Sequence, residues 1–384
     1  MSERKIVHGT VTEEFDAVRA EFLTTAVADE AGEAGAQLAV YVHGRQVVDL
    51  WFGDEVTGDT LTGVYSCTKG AATLVVALLV QDGTLDLDEP IAARWAEFAA
   101  AGKNGITVRD VLTHRSGVIG IDDGFTADEL ADDAVIAARL ASQRPYWKPG
   151  SAMGYSGFVE FAIVAEVVRR CTGHALQDIY DERIRSPYGL DLYLGLPEAE
   201  EPRFREIEPG LASPDELAAS WSGGPGPHSL TGIGYALNSN PPLDQVAFAN
   251  TRRVRALGPA SAGGVGNARG LAGLYTAAVY GLNGQPPLLK PDTLGEFTML
   301  HSTGFDLVAG EDKHYALGFQ AKGPQYPFLS ARAFGHNGSA GSEAFADPHS
   351  GITFGYARRR FSSTWSYPEH HRLAAAVHAA TAAS

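Results

Sequence analysis

Residues with strand character gather at the two ends of this chain, and the stretch between them reads as helices and loops. Near the start, residues 37–42 and 46–53 flank His43-Gly44-Arg45, a short glycine-containing turn, and predict a hairpin. Near the finish, 315–320 and 333–339 read as β, and 343–346 and 352–357 flank Asp347-Pro348-His349-Ser350-Gly351 as a second hairpin. Helical spacing appears at about 13–31 (Phe15, Val18, Phe22, Ala26), and again at 71–80, 107–117, 158–170, 267–275 and 368–380. The expected fold is α/β (α+β): a central antiparallel β-sheet built from both chain ends and flanked by helices, with a mostly helical domain inserted. The division falls at 1–65 and 260–384 for the sheet domain and 66–259 for the helical domain.

At 384 residues, 45% hydrophobic and 20% charged, the composition is that of a globular enzyme. A formal net charge of -16 argues against nucleic acid and anionic membranes as partners, because no basic surplus is available for phosphates. The two cysteines, Cys67 and Cys171, are too few for a disulfide framework and wrongly spaced for zinc, and both are expected to be buried. The first residues lack the apolar core of a signal peptide and no stretch has transmembrane length, so the expected location is cytoplasmic. No feature sets an oligomeric state.

The chemistry concentrates at Tyr65-Ser66-Cys67-Thr68-Lys69-Gly70, at the head of the apolar run 71–80. A serine and a lysine three residues apart share a helix face and can meet. A lysine shielded from water can have its pKa lowered enough to take the serine proton, and a helix N-terminus presents amides to an oxyanion. The same pattern at Ser2-Glu3-Arg4-Lys5 lies in a polar terminus with no helix to hold the pair. His114 and Ser116 are expected to satisfy backbone groups in a helix-ending turn. Tyr155 follows the Pro/Gly-punctuated loop Trp147-Lys148-Pro149-Gly150, from which it can project into a cleft. The Pro-, Gly- and Ser-rich stretch 197–250, including Ser222-Gly223-Gly224-Pro225-Gly226-Pro227, suits either a cleft wall or a surface insertion.

In this order, Ser66-Cys67-Thr68-Lys69, Leu112-Thr113-His114-Arg115-Ser116-Gly117, Trp147-Lys148-Pro149-Gly150 ahead of Tyr155, Ala249-Asn250 before Ala262-Gly263-Gly264, and Phe334-Gly335-His336-Asn337-Gly338 resemble the serine β-lactamase and penicillin-binding-protein superfamily. The similarity covers nearly the whole chain and is nearest the class C-like branch with its family VIII carboxylesterases. The resemblance implies an active site in the cleft between the two domains. It makes Ser66 the nucleophile, Lys69 and Tyr155 the proton-transfer pair, and the amides of Ser66 and Ser339 the oxyanion hole. Tyr155 would need Lys69 to lower its pKa from about 10 before it could act as a base near neutral pH. His336, Asn337, Gly338 and Gly157 fall at substrate-binding positions.

Two departures point to the substrate. The Tyr-x-Asn of β-lactamases is Tyr155-Ser156-Gly157 here, and their Lys-Thr-Gly is His336-Asn337-Gly338. With both β-lactam anchors gone, the expected substrate is a small-molecule neutral ester, hydrolysed with no metal or organic cofactor. The alternatives are a β-lactamase, a D-aminopeptidase or penicillin-binding hydrolase, and a non-catalytic relative that binds a ligand or serves as a scaffold. There is no G-x-S-x-G elbow, Walker loop or H-E-x-x-H.

Overall fold

The computed structural model describes residues 6–28, 34–211, 224–362 and 367–384. Among these, both chain ends feed one nine-stranded antiparallel sheet. The N-terminal part supplies β1 (His8–Val11), β2 (Ala36–Val42) and β3 (Arg45–Phe52). A small second sheet is formed by β4 (Thr62–Gly63), β5 (Leu192–Tyr193) and β6 (Val265–Gly266). The C-terminal part supplies β7 (Ser302–Phe305), β8 (Asp312–Tyr315), β9 (Gln320–Ala321), β10 (Phe334–Asn337), β11 (Glu343–Asp347) and β12 (Ile352–Arg358). The strand order is β1-β3-β2-β12-β11-β10-β9-β8-β7, so the two chain ends meet where β2 pairs with β12, Val40 opposite Phe354. The β2–β3 turn is His43-Gly44 with both φ positive, the two-residue geometry whose twist matches its strands.

The two faces of this sheet differ in side-chain size, which follows from the period-two pattern. Leu38, Val40, Phe345, Phe354 and Tyr356 point to one face, where they pack against Phe15, Val18 and Phe22 at the first helix (Asp16–Ala28) and Leu373 and Val377 of the last (Pro368–Ala383). Ala39, Ala344 and Ala346 point to the other, under the Ala268–Val279 helix. That helix lies so close that a Cβ added at Gly355 would sit 2.3 Å from the Ala268 carbonyl oxygen. Behind it the Thr68–Gln81 helix is buried from Thr68 to Leu79. A helix apolar on every face belongs in a core, and this one fixes the height of Ser66 above the sheet.

Several boundaries differ from the sequence expectation. The β stretch at 315–320 is broken: Ala316 N–H donates to the Phe319 carbonyl at 2.9 Å and Gly318 takes φ +72°, so β8 and β9 face each other across a turn. The helix capped by Thr107 runs only Val108–Leu112, because His114 turns to φ +56°. Cys67 is buried as expected, but Cys171 is only half-buried. The end of the 13–31 helix, Ser2 to Lys5, and Ser222-Gly223 lie outside the described residues. No helix among the described residues is long and apolar enough to cross a membrane.

Candidate active site

Ser66 sits in a single 3-10 turn, Tyr65–Cys67, that runs straight into the Thr68–Gln81 helix. Tyr65 takes φ +46°, a left-handed conformation unfavourable for a residue with a side chain. It is held there by its hydroxyl, which donates to the Gln245 carbonyl at 2.8 Å, and by its ring, edge-on to Phe361 at 5.3 Å. The sharp turn brings Ser66 to the floor of a cavity of about 520 Å³.

Two groups converge on the Ser66 hydroxyl. Tyr155 OH is 2.8 Å from Oγ, and Lys69 Nζ is 3.3 Å from it. Lys69 is fully buried, and Nζ also donates to the carbonyls of Gly157 and Ser261, each at 2.8 Å. Burial drives its pKa down to about 7, against the opposing pull of the Glu160 carboxylate. A neutral amine has two hydrogens and one lone pair; here the carbonyls take the hydrogens, and the lone pair is left for Ser66.

Tyr155 behaves otherwise than the sequence suggested. Burial pushes its phenol up rather than down, with the Ser66 bond opposing, and Lys69 touches the ring 5.0 Å from its centroid rather than the hydroxyl. Of the two groups, burial favours the neutral, lone-pair-bearing form in Lys69 and the protonated form in Tyr155. Tyr155 is held by Asp306, whose two carboxylate oxygens accept its backbone N–H at 3.1 and 3.0 Å and whose Oδ2 accepts the Tyr315 hydroxyl at 2.9 Å. Sequence reasoning missed Asp306; the signal is an acid at a fully buried position beside Leu307 and Val308.

Glu160 was missed as well. It is fully buried in the Glu160–Thr172 helix, and burial pushes its carboxyl up. Its oxygens take His114 Nδ1 at 2.8 Å and the Ser116 hydroxyl at 2.6 Å. His114 and Ser116 thus serve a buried carboxylate, and only the Ser116–Val118 N–H contact matches the backbone role expected of them. A lone acid between Val159 and Phe161 was the available sign.

The four candidate substrate positions divide. Asn337 and Gly338 line the cavity; His336 and Gly157 are not among its lining residues. His336 is buried, with Nδ1 2.8 Å from the Asn337 carbonyl, and burial holds its pKa well below the usual histidine range, so the ring is neutral. Gly157 offers its carbonyl to Lys69, and a Cβ there would lie 3.3 Å from both the Gly234 carbonyl oxygen and the Tyr235 ring. Gly338 must be glycine because a Cβ would fall 2.3 Å from the Val64 carbonyl, beside the Ser66 turn. Ser339 lines the cavity with Ser66, and neither amide is committed to another backbone acceptor among the described residues. The described part of the 197–250 stretch forms one wall through Pro225, Tyr235, Leu237 and Gln245, which is the first of its two expected roles. Lys313, the lysine among the lining residues, is paired with Glu311 at 2.6 Å.

The model of the Beta-lactamase family matches residues 19–379, and the chain belongs to that family. Among curated relatives, "Esterase/beta-lactamase LipL" of Mycobacterium tuberculosis is 29% identical over 88% of this chain and 79% of that protein. The solved structure of EstA from Arthrobacter nitroguajacolicus Rue61a is 37% identical with a TM-score of 0.89, covering 97% of this chain and 98% of that one. A structure described as a family VIII carboxylesterase is 33% identical with a TM-score of 0.84, covering 98% and 100%. The architecture is accordingly the β-lactamase/transpeptidase-like fold, with its large antiparallel sheet flanked by helices.

Proposed function

We propose that this protein is a carboxylesterase-type serine hydrolase that cleaves small or medium neutral esters through an acyl-enzyme on Ser66. The observation that carries this reading is the Ser66 hydroxyl, 2.8 Å from Tyr155 OH and 3.3 Å from Lys69 Nζ, on the floor of a cavity that Ser66 and Ser339 both line. Similarity to a protein named esterase/beta-lactamase and to a family VIII carboxylesterase supports it.

In the proposed mechanism neutral Lys69 takes the Ser66 proton as Oγ attacks the acyl carbon, and the two amides stabilise the tetrahedral oxyanion. The Lys69 ammonium, beside the reacting oxygen, then gives its proton to the departing alkoxide, while Tyr155, kept protonated by burial, donates a hydrogen bond to the same oxygen and steadies its charge. Water then attacks the acyl-enzyme, the same groups act in reverse, and the acid leaves.

Neutral esters are favoured over β-lactams for an energetic reason. The asparagine amide and the cation of the β-lactamase pattern are replaced by Gly157 and by a neutral, buried His336, while Lys313 is engaged by Glu311. Those two contacts are worth roughly 0.5–1.5 and 1.5–3 kcal/mol, together on the order of 10² to 10³ in turnover, and a neutral ester uses neither. A comparison of kcat/KM for p-nitrophenyl acetate and butyrate with a chromogenic cephalosporin tests this. The esters should win by at least about 10²-fold; a cephalosporin turned over as efficiently would remove the basis for the ester assignment.

Because nucleophile, base and oxyanion donors all come from the chain, esterase activity should survive dialysis against EDTA unchanged. A loss restored by added zinc or manganese would contradict the mechanism.

A further inference from the structure

The loop that carries the Ser339 amide is pinned by the last helix of the fold. Residues 338–342 join β10 to β11 and make two bonds of their own: Gly338 N–H donates to the Ser342 carbonyl at 2.7 Å, and Gly341 N–H to the Gly338 carbonyl at 2.9 Å. Because a trans peptide is planar, fixing the Gly338 carbonyl also fixes the opposite direction, that of the Ser339 N–H. Two more bonds come from outside the loop. The Tyr367 hydroxyl donates to the Ser339 carbonyl, and His370 Nε2, 2.7 Å from the Gly341 carbonyl, must be the donor there because a carbonyl only accepts.

Both side chains stand at one end of a single rigid element. Tyr367 precedes the Pro368–Ala383 helix, His370 lies in its first turn, and their rings stack at 5.3 Å with planes 17° apart. His370 is anchored in turn when both its ring nitrogens carry hydrogen: Nδ1 then donates to Glu343, 3.3 Å away, a buried carboxylate on β11 that also takes Lys322 Nζ and the Tyr326 hydroxyl at 2.7 Å each. A clamp tied to both the helix and the sheet can hold a loop at a fixed distance from Ser66.

We propose that Tyr367 and His370 are positioning residues for the oxyanion hole, holding the Ser339 and Gly341 carbonyls so that the Ser339 N–H keeps one direction at the cavity wall. This rests on the reading of Ser339 as an oxyanion donor. Such a donor acts on charge that exists only in the transition state, so displacing it lowers kcat and leaves KM in place.

The test uses the full chain carrying Tyr367→Phe, His370→Asn, His370→Gln or Ser66→Ala, with p-nitrophenyl butyrate as substrate and sites counted by end-point fluorophosphonate labelling. Tyr367→Phe keeps the stacked ring and loses the hydroxyl; asparagine at 370 loses the donor to Gly341, whereas the glutamine amide nitrogen stands close to where Nε2 does. Per labelled site, Tyr367→Phe and His370→Asn should each lower kcat by about 10- to 100-fold with KM within about twofold, less than the 10² to 10³ of deleting a donor outright. His370→Gln should recover most of what His370→Asn loses. If Tyr367→Phe and His370→Asn keep wild-type kcat per labelled site while Ser66→Ala is inactive, the clamp is wrong and the Ser66 assignment stands. If His370→Gln is as impaired as His370→Asn, the hydrogen bond to Gly341 is not what matters and the clamp is likewise overturned. Activity surviving in Ser66→Ala would overturn the active-site reading and the clamp with it.

Discussion

Ser66→Ala should lower kcat for p-nitrophenyl butyrate by at least about 10⁴-fold, since removing the nucleophile leaves only binding and oxyanion stabilisation. A fluorophosphonate should add once per chain, and peptide mass spectrometry should place the adduct on Ser66. The neighbouring serines are poor competitors on structural grounds. Ser116 and Ser156 are fully buried, and the Ser116 hydroxyl is held 2.6 Å from Glu160. An adduct on either, or none at all, would overturn the mechanism.

The second large effect concerns Lys69 and Tyr155 as a unit. Lys69→Ala and Tyr155→Phe should each lower kcat by about 10² to 10⁴, the range that general acid–base catalysis supplies, and the double variant should be little worse than either single one. Both side chains bond the same Ser66 oxygen, so removing one already disables the proton transfer the other serves. Losses that multiply in the double variant would mean independent roles. The same pair sets the pH profile. Lys69 must be neutral to act, and its pKa is lowered to about 7, so kcat/KM should be full above that value and fall as pH drops through it. Tyr155 must be protonated to act, and its pKa is raised, so it should cause no alkaline fall below about pH 10. A bell centred below pH 6 would contradict this division of labour.

What the sequence revealed and what it hid have a common physical origin. Period-two runs with a turn between them place β2 and β3, or β11 and β12, because the signal is local. Ser66 and Lys69 were visible for the same reason: three residues on a helix are neighbours. The resemblance to a known superfamily then supplied Tyr155 and Ser339, which local pattern would not have done. Glu160 and Asp306 stayed hidden because a buried acid declares itself only through partners distant in the chain, His114 and Ser116 for one, Tyr155 and Tyr315 for the other. The expected lowering of the Tyr155 pKa failed for a related reason. It weighed the attraction of a nearby cation but not the desolvation of the phenol, which is the largest influence on Tyr155 and outweighs the opposing hydrogen bond to Ser66. His336, expected at a substrate position, is not among the lining residues, and its ring centroid lies 6.0 Å from that of Tyr155.

The pairing of β2 with β12, Val40 opposite Phe354, also governs when the catalyst can come into being during synthesis. The ribosome releases Ser66 and Lys69 early, but their helix, buried from Thr68 to Leu79, lacks the core it packs into until later elements follow. The Ser339 loop is held in place through β11 and β12, which leave the ribosome long after β2, the strand that β12 closes against. Such distant pairings are slow to find, because the chain between them must be ordered before any contact compensates. A growing polypeptide of this sequence therefore carries Ser66 and Lys69 long before Ser339, and the proposed site can be complete only after β12 has been made to close the sheet.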